Sequence, residues 1–153
     1  MSLWRDLIRY HQREDLAALQ YASFQRELDK VRDHIARPLA DLRVLEVGCG
    51  QRFVKTLCFH SLGADVTGID LTSLSPDFSL GGFVRMARHD GLSRALRTYG
   101  RHLLFDRAFY RDLEQKLGVP LRFADVDVRR MSATAMSFAD ASVDYVCSSA
   151  VFE

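Results

Sequence analysis

The chain has 153 residues, 48% of them hydrophobic and 27% charged, which is the composition of a globular protein with one hydrophobic core. Its formal charge is +1, from 21 basic and 20 acidic side chains, and the basic residues form no stripe along the sequence. This balance excludes a global field that attracts nucleic acid or an anionic membrane, and it favours a small-molecule partner.

The cysteines and residues 1–20 indicate the cellular compartment of the protein. Cys49, Cys58 and Cys147 form neither a CxxC pair nor an even set for disulfides, and no histidine stands at metal-ligand spacing from them. Charged side chains interrupt residues 1–20, which excludes the apolar core of a signal peptide or a membrane span there. We expect a cytoplasmic protein without a metal ion.

The first predicted element is a helix. Apolar residues recur at mostly three- to five-residue spacing between Leu16 and Ile35, which predicts an amphipathic helix that Pro38 ends. We interpret residues 1–38 as a helical prelude to an α/β domain over residues 39–153.

A strand, a glycine loop, a helix and a second strand follow. The run LRVLEV, residues 42–47, is apolar and ends at a glycine cluster, as expected of a buried parallel strand. Residues 51–62 have helical spacing, and Gly63 stands where a helix commonly ends. Ala64 to Asp70 alternates and is rich in β-branched residues, so the segment has the length and order of a βαβ unit.

The remaining elements complete a second and a third crossover. Helical patterns cover residues 83–99 and 101–117, and Gly91 interrupts the first of them. Residues 121–128 are interpreted as a third strand and residues 143–149 as a fourth.

The glycine loop is the first candidate for a ligand site. In an open parallel sheet, ligands bind beyond the carboxyl ends of the strands. Gly48 and Gly50 let the backbone turn tightly and approach a ligand, and the N–H groups at the next helix start can receive a carboxylate. Asp70 stands where glycine-loop nucleotide folds place a carboxylate for ribose hydroxyls. An ordinary strand-to-helix turn and a helix-capping aspartate are the alternative readings.

Two side chains distinguish the possible ligands. A dinucleotide fingerprint places a small residue at position 53, where this chain has Phe53. Glu46 would set negative charge near a pyrophosphate, whereas the same charge suits a ligand with an ammonium and a sulfonium. Both residues disfavour NAD.

The motifs VLEVGCG, Val44 to Gly50, and VTGID, Val66 to Asp70, resemble those of the class I S-adenosylmethionine-dependent methyltransferases. The resemblance implies an α/β Rossmann-like parallel sheet of order 3-2-1-4 with helices on both faces, and S-adenosyl-L-methionine as cofactor. In that family the first loop lies against the methionine part of the cofactor and the acid after strand two holds the ribose. The residues implied here are Glu46, Gly48, Cys49, Gly50, Asp70 and Leu71.

Residues 131–149 are similar to the family segment that meets adenine and opens strand four. Ser132 stands at the place of the family's adenine-binding acid, so its hydroxyl and the Ala133 N–H are the expected substitutes. Ser148 completes the expected cofactor set. Arg52 stands at the place of the last glycine of the usual GxGxG loop.

The family's sheet continues with roughly three more strands after the fourth, so we expect the chain to be a fragment of a longer enzyme. Glu153 is a weak candidate for a catalytic base, and helix capping is the simpler reading of Glu153 and Ser149. Tyr10, His11 and His34 are candidates for a lid over the substrate, with a plain packing role as the alternative.

The expected function is transfer of a methyl group to a small-molecule acceptor, which requires mainly alignment and a base only for some acceptors. A non-catalytic S-adenosylmethionine-binding module and an NAD-linked oxidoreductase are the alternatives. We expect no chemistry from His60, His89 or His102.

Overall fold

The computed structural model describes residues 16–74 and 78–148. Tyr10, His11, Ser149 and Glu153 lie outside the described residues. The elements are α1 (Leu16–His34), a 3₁₀ turn (Leu39–Asp41), β1 (Arg43–Val47), α2 (Val54–Ser61), β2 (Asp65–Asp70), α3 (Leu80–Asp90), α4 (Leu92–Arg101), a π-helical turn (His102–Asp106), α5 (Arg107–Leu117), β3 (Asp127–Arg130) and β4 (Tyr145–Ser148).

The strands form one four-stranded parallel sheet in the order β3-β2-β1-β4. In register, Val47 at the end of β1 faces Ile69 of β2 on one side and Ser148 of β4 on the other. The predicted α/β Rossmann-like class and its strand order are therefore confirmed. The strand order reverses between β1 and β4, which is where ligands bind in such sheets.

The main hydrophobic core lies between one face of the sheet and helices α1, α2 and α5. Phe24 of α1 and Phe59 of α2 are fully buried, and their rings meet edge to face with centroids 4.9 Å apart. A smaller cluster on the other face joins Leu45, Val47 and Ile69 to residues from the segment between β3 and β4. Burying each large aromatic or aliphatic side chain stabilises the fold by about 1.5–3 kcal/mol.

The third strand lies later in the chain than the sequence pattern predicts, so that prediction is wrong. β3 spans Asp127–Arg130 and not residues 121–128. The backbone before it bonds to side chains instead of a neighbouring strand: Leu121 N–H donates to Glu114 and Arg122 N–H donates to Ser61. A strand-like composition was thus overridden by tertiary hydrogen bonds.

The other boundaries follow the predicted pattern with small shifts. Gly91, with φ of 92°, separates α3 from α4 as its position in the sequence predicts. The second helical pattern contains the π-helical turn before α5, which the spacing of apolar residues did not indicate. β4 begins at Tyr145, two residues later than expected.

The described ranges contain neither a helix that could cross a membrane nor a cluster of metal-ligating side chains. Over residues 16–74 and 78–148, no helix combines the length and the apolar character needed to cross a membrane. In the same ranges, no three His, Cys, Asp or Glu side chains cluster in a way that would hold a metal ion.

Candidate functional site

The glycine loop connects β1 to α2 at the carboxyl edge of the sheet. Gly48 and Gly50 have φ values of 72° and 66°, a left-handed conformation that glycine adopts without strain. The N–H groups of Gly48 and Cys49 donate to the carbonyl of Ile69 at 2.8 and 3.1 Å. The loop is therefore held against the end of β2 by its own backbone.

The second half of the loop is held by the helical segment that follows β2. The Arg52 guanidinium bonds the buried carboxylate of Asp106 at 2.8–2.9 Å and lies 4.5 Å over the Phe109 ring. Phe53 next to it is fully buried with φ of 36°, an uncommon conformation for a side-chain-bearing residue. Arg52, at the position of the family's last glycine, thus anchors the loop.

Glu46 belongs to β1, and its buried side chain reaches the first turn of α2. Its Oε2 accepts hydrogen bonds from the Thr56 N–H at 2.7 Å and the Thr56 hydroxyl at 2.6 Å, and the residue is only 3% exposed. Burial raises the pKa of Glu46 to about 7, although the bonds from Thr56 oppose the shift. The sequence predicts that the N–H groups at the start of α2 receive a ligand carboxylate. The Thr56 N–H, one of these groups, instead donates to Glu46 of the chain itself.

Asp70 closes the loop from the end of β2. Its Oδ2 accepts from the Gly50 N–H at 3.0 Å, and its Oδ1 accepts from the N–H and the hydroxyl of Thr72 at 2.9 and 2.8 Å. A carboxylate has about four acceptor positions, so about one remains open. Two ribose hydroxyls would fit only if the Thr72 hydroxyl turned to another acceptor.

A pocket of about 300 Å³ opens beside the loop. Four of the expected cofactor residues line it, together with three cationic side chains and three other residues. The lining residues are Gln20, Glu46, Gly48, Cys49, Gly50, Gln51, Arg52, Val54, Lys55 and Arg101. The volume lies at the lower end of the range for small-molecule sites.

The residues expected at the adenine lie farther along the same edge of the sheet. The Met131 N–H donates to the Asp70 carbonyl at 2.9 Å, which holds the segment after β3 beside the end of β2. Ser132 bonds Thr134 through both the hydroxyl and the backbone of that residue, so the Ser132 hydroxyl serves a local turn. Leu71 is 68% exposed next to Asp70. None of Asp70, Leu71, Ser132 and Ala133 lines the pocket beside the loop.

Ser148 lies at the reversal point of the strand order, opposite Val47. Its Oγ is buried and has no hydrogen-bond partner within the described residues. Buried hydroxyl groups without a partner are uncommon in proteins. Ser148 does not line the pocket beside the loop, so its expected place in the cofactor set stays a prediction.

The cysteines and two of the histidines have structural roles, as buried side chains or as partners of backbone carbonyl groups. Burial raises the pKa of the thiols of Cys49, Cys58 and Cys147, so each stays a neutral thiol at physiological pH. His34 and His60 each bond a backbone carbonyl, of Lys30 and of Ala124 respectively.

Sequence reasoning missed Thr56, Gly68, Arg101 and Asp106. A Cβ on Gly68 would lie 2.5 Å from the Thr56 hydroxyl oxygen, so this glycine lets α2 approach β2 and place Thr56 on Glu46. A glycine inside a strand is a known signal of such close approach. For Arg101 and Asp106 the sequence offered no signal, because both stand in an ordinary helical pattern.

Comparisons with known proteins do not identify the chain. No family model, no curated protein and no solved structure matches it. The resemblance to methyltransferases therefore stays a prediction carried by the two motifs, Val44 to Gly50 and Val66 to Asp70.

Proposed function

We propose that the protein binds S-adenosyl-L-methionine over the glycine loop and transfers its methyl group to a small-molecule acceptor. One observation carries the proposal: the Gly50 N–H meets the Asp70 carboxylate at 3.0 Å beside a pocket of about 300 Å³. A turn of glycines and a strand-end acid are thus brought together at the carboxyl edge of a parallel sheet, where such folds bind nucleoside ligands.

The residues around this point fit a nucleoside with an amino-acid tail. Asp70 has about one open acceptor position for a ribose hydroxyl. Leu71 offers an exposed apolar surface beside it for a base. Glu46 lines the pocket with a carboxylate that a ligand ammonium would favour in its charged form.

When bound, the cofactor supplies an electrophilic methyl group on a sulfonium. The contribution of the chain is to hold and orient, since displacement at a methyl group depends mainly on alignment. Among the described residues that line the pocket, Glu46 is the only one with a carboxyl group, and its bonds to Thr56 hold it in place. We assign no catalytic base, and Glu153 stays a prediction outside the described residues.

A binding module without turnover is the second candidate. The observation that favours it is the Ser132 hydroxyl, which bonds Thr134 in place of an acid that would hold adenine. This candidate predicts cofactor binding with no methyl transfer to any acceptor. The expectation of a cytoplasmic location belongs to the same proposal, and the three buried free thiols support it.

The first test is calorimetric titration of the chain with S-adenosylhomocysteine and, separately, with NADH. We expect S-adenosylhomocysteine to bind and NADH not to bind. Asp70→Asn keeps the shape of the side chain but removes its charge, and it should weaken binding by about 1–3 kcal/mol, as for loss of hydrogen bonds to a charged group.

Asp65→Asn is the matched control, because Asp65 starts the same strand at the opposite edge of the sheet and is exposed. It should bind S-adenosylhomocysteine like the unmodified chain. Failure of the folded chain to bind S-adenosylhomocysteine, or preferential binding of NADH, would contradict the proposal.

A further inference from the structure

Exposed aliphatic side chains are concentrated in residues 80–104, which form α3, α4 and the start of the π-helical turn. Of the ten large hydrophobic side chains that are exposed in the described part of the chain, six lie in this segment. They are Leu80, Val84, Leu92, Leu96, Leu103 and Leu104. A single exposed leucine is normal on a protein surface, whereas such a concentration marks an interaction surface.

The exposed side chains follow one side of each helix. Leu80 and Val84 are four residues apart in α3, and Leu92 and Leu96 are four residues apart in α4, so the members of each pair are neighbours on the helix surface. Other sides of the two helices pack inward, where Met86 and Ala95 are fully buried. Both helices are therefore amphipathic, with an aliphatic strip in contact with water.

The aromatic side chains hold the two helices together and leave the leucines outside. The Phe83 ring of α3 and the Tyr99 ring of α4 meet edge to face with centroids 5.1 Å apart. The Tyr99 hydroxyl donates to the Ser79 carbonyl, just before α3, at 2.7 Å. The helix pair is thus fixed by contacts that do not use the exposed leucines.

The surface charge of residues 80–107 is positive. The segment contains six arginines and two aspartates, although the whole chain has a formal charge of only +1. Both aspartates serve the fold, because Asp90 accepts from the Ser73 N–H at 2.8 Å and Asp106 is fully buried. The acids of the segment therefore add little negative charge to its surface.

Four of the six arginines are exposed on this segment. They are Arg85, Arg88, Arg97 and Arg107. None of the four forms an ion pair with an acidic side chain of residues 16–74 or 78–148. The near-neutral charge of the chain thus hides a local surface that combines arginine with leucine.

An anionic lipid surface complements this combination. Basic amphipathic helices lie in the plane of such a membrane, with leucines at the acyl boundary and arginines among the headgroups. A nucleic acid would leave the leucines without partners, because its interfaces with proteins are polar. Protein-binding hot spots are enriched in aromatic residues and depleted in leucine, and here Phe83 and Tyr99 pack between the helices.

We propose that α3, α4 and the π-helical turn form a docking surface for membranes that contain anionic lipids. The helices lie on the membrane, with the leucines inserted and the exposed arginines at the lipid phosphates. The inference does not depend on the proposed function, because neither the pocket nor a cofactor enters it.

Co-sedimentation with lipid vesicles tests the proposal. The unmodified chain should bind vesicles of phosphatidylcholine and phosphatidylserine at least about 10-fold more tightly than vesicles of phosphatidylcholine alone. This preference should fall as the salt concentration rises, because salt screens exposed charges. Equal binding to the two kinds of vesicle, or binding to neither, overturns the proposal.

A double arginine substitution locates the charged part of the surface. Arg85→Gln with Arg88→Gln should lower the affinity for the phosphatidylserine vesicles about 10- to 30-fold. Arg26→Gln with Arg32→Gln is the matched control, since both arginines are exposed on α1 and the same charge is removed. The control should change the affinity less than about 2-fold, and equal losses in the two double variants overturn the proposal.

A leucine substitution tests insertion into the lipid. Leu96→Ser should lower the affinity for the phosphatidylserine vesicles about 3- to 10-fold, because less apolar surface leaves water on binding. Leu19→Ser is the matched control, since Leu19 in α1 is 57% exposed, as Leu96 is. An unchanged affinity of Leu96→Ser, with its helix content confirmed by circular dichroism, contradicts the insertion of this surface.

A second copy of the chain is the competing occupant of the aliphatic surface. Analytical ultracentrifugation without lipid detects it. A dimer that Leu96→Ser dissociates, together with no binding to phosphatidylserine vesicles, would make the surface a self-association interface and overturn the proposal. A monomer that binds these vesicles through Arg85 and Arg88 supports it.

Discussion

The β1-α2-β2 unit and the two outer strands, β3 and β4, which lie at opposite edges of the same sheet, differ in how their polar groups are satisfied. In the first unit, Glu46 is bonded to Thr56, and Asp70 is bonded to Gly50. In β4 and the residues just before it, the hydroxyl oxygens of Ser142 and Ser148 are buried without a partner in the described part of the chain.

The two regions also differ in packing. In the unit from β1 to β2, six of the eight α2 residues, four of the five β1 residues and three of the six β2 residues are buried. β3 has no fully buried residue, and Val146 in β4 is 57% exposed. The comparison teaches that the β1-α2-β2 unit is a well-packed scaffold for the glycine loop, whereas the outer strands are packed on fewer sides and β4 keeps an exposed apolar side chain.

The largest expected effect is on the free energy of unfolding, and it tests the difference in packing between the two regions. Phe59→Ala removes a fully buried ring that meets Phe24, and it should lower the free energy of unfolding by about 3–5 kcal/mol. Val146→Ala, in the outer strand β4, should change it by less than about 0.5 kcal/mol because more than half of the side chain is exposed to water. Urea denaturation measures both, and similar losses in the two variants would break the comparison.

The next effect concerns the buried acid of the scaffold. The folded-state pKa of Glu46 is raised by burial to about 7, above its ordinary value of 4.5. The stabilising contribution of such a group is complete below the ordinary pKa and is lost as the pH rises through the raised one. Glu46→Gln cannot ionise, so its stability relative to the unmodified chain should increase by about 3 kcal/mol between pH 5 and pH 8.

Glu27→Gln is the control for that measurement. Burial opposes ionisation of Glu27, but hydrogen bonds from Tyr145 and Lys30 outweigh it and lower its pKa. A lowered pKa affects stability only as the pH falls below the ordinary value, so the Glu27→Gln difference should be flat from pH 5 to pH 8. Denaturation curves at several pH values test this, and a flat Glu46→Gln difference would show that Glu46 is charged in the folded protein.

The smallest expected effect on stability tests the close approach of α2 to β2 at Gly68. Gly68→Ala places a methyl group 2.5 Å from the Thr56 hydroxyl oxygen, which is tied to Glu46, and should destabilise the fold by about 2 kcal/mol. A Cβ at Gly100 in α4 would meet no described atom outside its own helix within 4 Å, so Gly100→Ala should stabilise the fold by about 0.5–1 kcal/mol. Thermal denaturation measures both, and a Gly68→Ala protein as stable as the original would mean that α2 moves freely against β2.

Prediction from the sequence was most successful where neighbouring residues decide the structure. Gly48 and Gly50 mark the turn after β1, and Gly91 marks the break between two helices, because a glycine acts on its own backbone. The third strand was misplaced because Leu121 and Arg122 bond to distant side chains that composition does not reveal.

The amino-acid sequence by itself determined the order of the elements, the parallel sheet and the position of the glycine loop, since apolar spacing and glycine placement act over a few residues. Only the tertiary structure decided what surrounds the loop. Arg52 and Asp106 are 54 residues apart in the chain, and Arg101 joins them through the π-helical turn. Charges that far apart pair only after the helices have packed, so the cationic side of the pocket is a property of the fold.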